Sequence, residues 1–223
     1  MKIEKFDTVA STNDYLKEIS QKDPADCAVQ AAHQTSGKGQ RGNTWVDKAG
    51  EDLLISFRFK AITDPSKAMI ISSIALFNVF KDYGLTPNIK LPNDILIHDK
   101  KIAGILIEHL KEASITIIGI GMNLNSKQMS DTYQSTSLFN LTNKTYDIDT
   151  IRDYLIEKVK TLIDENIKSL MEEYKSLVFM KRQYAILEGE TVEILDIDET
   201  LQCKLDEDTW VSSGTLSFHK PKN

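Results

Sequence analysis

Apolar and polar positions alternate in a short run at the start of the chain, where Ile3 to Phe6 suits a strand. Ser11-Thr12-Asn13-Asp14 then reads as a capping box, with Ser11 as N-cap, opening a helix that runs to about Ser20. Cys27 to Ala32 suits a strand, and Leu53 to Phe59 combines alternation with high apolar density. Asp64-Pro65 offers a cap and a first-turn proline for a helix over about Ser66 to Tyr83, stopped by Gly84. The apolar content of that helix predicts burial against a sheet. Three Ile-rich runs follow closely: Asp94 to His98, Lys101 to Leu110 and Ser114 to Gly121. No crossover of about a dozen residues fits between them, so they read as an antiparallel meander and a doubly wound parallel sheet is disfavoured.

Ser126 to Asp149 is polar and loop-rich. Thr150-Ile151-Arg152-Asp153 then caps a long amphipathic helix with Ile151, Tyr154, Leu155, Val159, Leu162, Ile163, Ile167 and Leu170 on one face. From Leu187 short strands return, over Thr191 to Ile197, Leu201 to Leu205 and Trp210 to Phe218, separated by acidic turns. The pattern predicts an α+β fold, mainly antiparallel sheet with packed helices. Residues 1–186 form the main domain and residues 187–223 a β appendage too short to fold alone, so it packs on the first.

Composition narrows the partners. The net charge of -6 argues against a general nucleic-acid surface and makes any local cluster of cations conspicuous. No signal-type start and no run long enough to cross a bilayer is present, so a cytoplasmic protein without a membrane partner is expected. Cys27 and Cys203 lack metal or C-x-x-C spacing and read as reduced structural thiols. His33, His98, His109 and His219 show no zinc-binding spacing.

Candidate chemistry starts at Gly37-Lys38-Gly39-Gln40-Arg41-Gly42, a loop that bends sharply, exposes backbone N–H groups and adds two cations. Its spacing is that of a dinucleotide fingerprint, but Asn43 to Asp47 carries no helical period, so no nucleotide-fold helix opens here. The strings of a protein kinase are absent too. Taken singly, the loop reads as a surface hairpin and Ser11-Thr12-Asn13 as a cap. Pro92-Asn93-Asp94 reads as a turn, Lys100-Lys101 as a hairpin tip, and Gly119-Ile120-Gly121 as a bulge.

Together these strings resemble the biotin protein ligases, in order and at similar spacing. The carriers are Ser11-Thr12-Asn13, Gln34 to Trp45, Lys90 to Asp94, Lys101 to Glu108 and Gly119 to Asn123, and the resemblance covers roughly residues 3 to 125. It implies a catalytic domain similar to the class II aminoacyl-tRNA synthetases, with a shortened SH3-like C-terminal domain. It implies a two-step reaction: biotin attacks the α-phosphate of ATP to give biotinyl-5′-adenylate and pyrophosphate, and a lysine of a biotin carboxyl carrier protein takes the biotinyl group. A carboxylate approaching a phosphate oxygen at ~3.5 Å is repelled by roughly 5 kcal/mol at an effective dielectric near 20. Lys38, Arg41, Lys90 and Lys101 would offset that, with Mg²⁺ neutralising the leaving pyrophosphate.

By motif position, Ser11, Thr12, Asn13 and Gln34 would bind the biotin ring, and Lys38, Gly39, Gln40 and Lys101 its carboxylate and the phosphate. Lys38, Arg41 and Lys101 are the expected catalytic cations. Trp45 resembles an aromatic lid over the adenylate, and Arg41, Lys90, Asn93, Asp94 and Asn123 would serve ATP, with Asn93 and Asp94 the candidate Mg²⁺ donors. Gly104, Leu106, Gly119 and Gly121 would form a floor where side chains would occupy ligand volume. Lys38 and Gln40 stand where the family loop more often has arginine, and Gln40 removes a charge beside the expected adenylate, which implies weaker retention of that intermediate. The chain starts almost at its first strand, leaving no room for the helix-turn-helix of relatives that act as repressors, so DNA is not an expected partner. Relatives occur as monomers and as homodimers. Lipoate or octanoate ligation on the same fold is the main alternative, and a non-catalytic biotin-binding module is another.

Overall fold

The computed structural model describes residues 1–23, 25–127 and 134–218; His219 and residues 128–133 of the polar passage lie outside them. Strands β1 (Lys2–Val9), β2 (Cys27–Gln34), β3 (Leu53–Arg58), β4 (Pro87–Lys90), β5 (Asp94–Ile97), β6 (Lys100–Leu110) and β7 (Ile115–Met122) form one sheet, in the order β1-β2-β3-β7-β6-β5-β4. Every neighbouring pair is antiparallel except β1 with β2. The meander β5-β6-β7 is the one the three Ile-rich runs predict.

Helix α1 (Thr12–Lys22) starts where the capping box places it, with Ser11 Oγ accepting from the Asp14 N–H at 3.4 Å. Its far end is tied down by Arg58, which is buried and donates to the carbonyl oxygens of Asp23 and Ala25. Helix α2 (Pro65–Asp82) is capped by Asp64, whose carboxylate accepts from the Ser66 N–H at 2.7 Å, and it ends before Gly84 at φ 77°. It is buried along most of its length because it packs between the sheet and two later helices.

Two expectations for the next segment need correction. A five-residue helix α3 (Leu138–Thr142), capped by Ser137, lies within the passage expected to be loop. The long amphipathic helix is two helices, α4 (Ile148–Ile163) and α5 (Ile167–Val178). The cap of α4 is Asp147, which accepts from the Thr150 N–H at 2.7 Å, and Asn166 caps α5. A carboxylate at the true N-cap outcompetes a threonine three residues later, and Asp164-Glu165-Asn166 breaks the run without breaking its apolar period.

Period-two alternation divides the sheet into two faces. Leu53, Ile55 and Phe57 of β3 and Ile118, Ile120 and Met122 of β7 pack under α2, α4 and α5 as the main core. Val29, Ile115 and Ile117 meet Leu16 of α1 on the opposite face. The chain ends in a hairpin, β8 (Gln183–Leu187) with β9 (Glu190–Ile194), and a small sheet of β10 (Asp196–Ile197), β11 (Gln202–Lys204) and β12 (Trp210–Ser212). Strands β4 and β8 are not marked by the apolar pattern. Ile194, Ile197, Cys203 and Leu216 join the same apolar cluster as the large sheet. Among the described residues no helix is long and apolar enough to cross a membrane.

Candidate functional site

Strand register decides which residues share the open face beside α1. Gly104 pairs with Gly121 and Leu106 with Gly119 across β6 and β7, while Asp94 sits opposite Gly104 on β5 and Ser56 opposite Gly119 on β3. These rows underlie a cavity of about 910 Å³. The start of α1, the glycine loop, Trp45 and the β4–β5 turn wall it, and Tyr184 to Ile186 with Phe218 close its C-terminal side. Every residue nominated from the sequence lines this cavity: the Ser11–Thr12–Asn13 group with Gln34; loop residues Lys38, Gly39, Gln40, Arg41 and Trp45; Lys90, Asn93, Asp94 and Lys101; and Gly104, Leu106, Gly119, Gly121 and Asn123.

Beside the start of α1 the cavity is lined by a polar network. Ser11, Thr12, Asn13 and Ser56 are all buried. The Thr12 N–H and hydroxyl reach Gln34 Oε1 at 2.8 and 3.0 Å. Ser56 Oγ lies 2.7 Å from Thr12 Oγ1 and donates to Asn13 Oδ1, and Asn13 Nδ2 donates to Glu108 Oε2 at 2.8 Å. Because Gln34 Oε1 is occupied by a backbone N–H that can only donate, the Gln34 amide nitrogen is left as a donor.

The cations are not equally placed. Lys38 forms an ion pair with Asp14 at 2.5 Å, and Asp14 and Glu108 share Lys17 at 2.8 Å each. Burial works against the Asp14 charge, but its bonds to Lys17 and Lys38 outweigh it and hold the carboxyl below its ordinary range. Lys101 sits 2.6 Å from Asp94 and 5.4 Å from the centre of the Trp45 ring. Lys90 faces Asp94 in the β4–β5 register. Arg41 takes another course. It occupies the left-handed region at φ 56°, in a 3₁₀ turn over Gln40–Gly42, and its guanidinium donates to the carbonyl oxygens of Leu216 and Ser213 at 2.5 Å each.

The glycines give room to the protein's own side chains. A β-carbon at Gly119 would lie 2.2 Å from Asn13 Oδ1, and one at Gly121 would lie 2.3 Å from the Trp45 indole. The Trp45 Nε1–H is buried and has no hydrogen-bond partner among the described residues. Asn93 and Asn123 spend their amide hydrogens on the backbone, on Ile105 O at 2.8 Å and Thr136 O at 3.0 Å. Among the described residues no group of three or more His, Cys, Asp or Glu could hold a metal ion.

Several contributors escape sequence reasoning. Ser56 interrupts the apolar run Leu53 to Phe57 of β3, and that break in pattern is the signal that could have found it. Asp14 reads as a cap residue, yet its carboxylate serves Lys38 and Lys17. Asp47 is buried against His33 at 2.8 Å, and Asp52 accepts from Leu124 N–H and Ser126 Oγ at 3.0 and 2.9 Å, which fixes the strand following Trp45. Burial pushes the Asp52 carboxyl up despite those bonds. Tyr184 to Ile186 reach the cavity through tertiary packing, which leaves no local mark in sequence.

Comparison with known proteins places this geometry. The family described as "Biotin/lipoate A/B protein ligase family" matches residues 6–125. The bifunctional ligase/repressor BirA of Escherichia coli (strain K12) is 27% identical over 149 residues, covering 63% of this chain and 46% of that protein. The biotin--[acetyl-CoA-carboxylase] ligase of Mycobacterium tuberculosis is 28% identical over 137 residues, covering 58% of this chain and 51% of that protein. The chain thus spans about half the length of the curated relatives it matches. A biotin protein ligase from Aquifex aeolicus, solved with biotin and ATP, superposes with a TM-score of 0.80 over 97% of both chains at 22% identity, a likeness of fold.

Proposed function

The chain belongs to the biotin/lipoate A/B protein ligase family, and on that premise we propose that it activates biotin with ATP and passes the biotinyl group to a lysine of a biotin carboxyl carrier protein. The observation that carries the choice of biotin is the polar network beside the start of α1. Gln34 offers an amide donor and Thr12 a hydroxyl to the cavity that both residues line. A ureido ring, with one carbonyl acceptor between two N–H donors, can satisfy such groups. The dithiolane ring of lipoate has neither and would leave them unpaired, at about 1–3 kcal/mol each.

The rest of the cavity suits the first chemical step. Lys38 and Lys101 both line the cavity, held by Asp14 and Asp94, and positive charge fixed in this way would favour the approach of a carboxylate to a phosphate without a nucleophilic side chain. The Trp45 indole over Gly104 and Gly121 provides a flat apolar wall. Asn93 Oδ1 and the Asp94 carboxylate would hold Mg²⁺ together with the oxygens of the triphosphate. The ion would supply charge neutralisation of pyrophosphate. A carrier protein and the enzyme would meet in the cytoplasm.

Incubated with ATP, Mg²⁺, biotin and a biotin carboxyl carrier domain, the protein should add a biotinyl mass to the carrier, and none when the acceptor lysine is replaced by arginine. A carrier whose mass stays unchanged would remove the transfer step from this reading.

A further inference from the structure

Glu108 stands outside the cavity wall, yet it fixes the hydrogen-bond polarity inside. It belongs to β6, opposite Ile117 of β7, and both carboxylate oxygens are engaged, Oε2 by Asn13 Nδ2 and Oε1 by Lys17, at 2.8 Å each. An ionised carboxylate only accepts hydrogen bonds. The Asn13 amide must therefore turn its nitrogen toward Glu108 and its oxygen toward Ser56, and it lies close against Gly119. The single hydrogen of Ser56 is thereby committed to Asn13. The 2.7 Å contact between Ser56 and Thr12 must then hold the Thr12 hydrogen, which points inward to Ser56. Thr12 Oγ1 presents lone pairs to the cavity.

We propose that Glu108 is a specificity-determining positioning residue: acting through Asn13 and Ser56, it sets Thr12 Oγ1 as an acceptor for a ring N–H of the bound acid. This rests on the reading of the ligand as biotin. The relay runs between two groups whose polarity is fixed, the Glu108 carboxylate at one end and the Thr12 backbone N–H at the other. Lys17 contributes to the ion pair but lies off the relay. A glutamine at 108 can turn its own amide nitrogen toward Asn13, letting the Asn13 amide reverse and freeing the Ser56 hydrogen to occupy Thr12.

The test combines biotin binding by calorimetry with biotin-dependent ATP–pyrophosphate exchange, on wild type, Glu108→Gln, Lys17→Ala, Ser56→Ala and the Ser56→Ala/Glu108→Gln pair. Glu108→Gln should weaken biotin binding and raise the biotin KM about tenfold, with kcat and the ATP KM changed by about twofold or less. Lys17→Ala should stay within about twofold of wild type, since the two ion pairs it removes, with Asp14 and Glu108, are partly exposed. In the Ser56→Ala background, where the relay is already cut, Glu108→Gln should add nothing further. An unchanged biotin KM in folded Glu108→Gln, an equal loss in Lys17→Ala, or additive losses in the double variant would each overturn the assignment. Wild type that binds no biotin overturns the functional reading as well, whereas wild type that binds and exchanges while Glu108→Gln behaves like it overturns the relay alone.

Discussion

Gly121 and Asp14 show how single residues hold the cavity in shape. A β-carbon at Gly121 would overlap the Trp45 ring at 2.3 Å, and an aromatic ring beside a strand backbone cannot give by that amount, so Gly121→Ala should displace the indole. The expected result is a shifted tryptophan emission together with a rise in KM for the acid of about tenfold or more, as for loss of a packed apolar wall; unchanged emission and KM would contradict it. Asp14 fastens Lys38 to α1. Its folded pKa lies below the ordinary 3.8, so its contribution to stability is fully present above the ordinary carboxyl range and disappears as pH falls through the lowered value. The urea midpoints of wild type and Asp14→Asn should differ by a constant amount from pH 7 to about pH 5 and converge only in strong acid. A difference that widens on acidification would contradict this.

Elements built on strong local signals are legible in the chain: α1 from its Ser11 cap, α2 between Asp64-Pro65 and Gly84, and the meander from the Ile-rich runs. Those held by tertiary contact are not. Strand β4 is four residues long, and β8 is anchored by a buried Gln183 side chain that donates to Ile89 O at 3.0 Å and Val178 O at 2.8 Å. The break between α4 and α5 preserves the apolar period, so only the polar Asp164-Glu165-Asn166 step marks it. Helix α3 is also hidden in a polar passage, yet its cap is buried: Ser137 Oγ accepts from Asn140 N–H at 3.1 Å and donates to Ser126 O at 2.6 Å. Ser137→Ala should therefore cost about 1–2 kcal/mol in urea unfolding, and an unmoved midpoint would show that the cap is not needed. The cavity was legible because its residues cluster in short strings; Asp14 and Glu108 stand in two of those strings and Ser56 in none, and that the three support the cavity shows only in the folded chain.

At the scale of the molecule, the glycine loop connects the large sheet to the C-terminal strands through Arg41. The guanidinium holds the carbonyl oxygens of Ser213, Gly214 and Leu216, while the Ser217 N–H and carbonyl exchange hydrogen bonds with Ile186 of β8. Arg41→Ala should speed amide hydrogen exchange at residues 213–217 about fivefold, for the loss of about 1 kcal/mol of hydrogen bonding, and leave the central strands unchanged. Equal exchange in both proteins would show that packing of Leu216 alone secures the segment. Through the same contact, the cavity is bounded on one side by the sheet and on the other by Tyr184 to Ile186 of β8 with Phe218. The central claim is that this enclosed site activates biotin. The most direct measurement is ATP–pyrophosphate exchange with purified protein, Mg²⁺ and either biotin or lipoate. Exchange that depends on biotin and is absent with lipoate is the predicted result, and exchange with lipoate alone, or with neither acid, would contradict it.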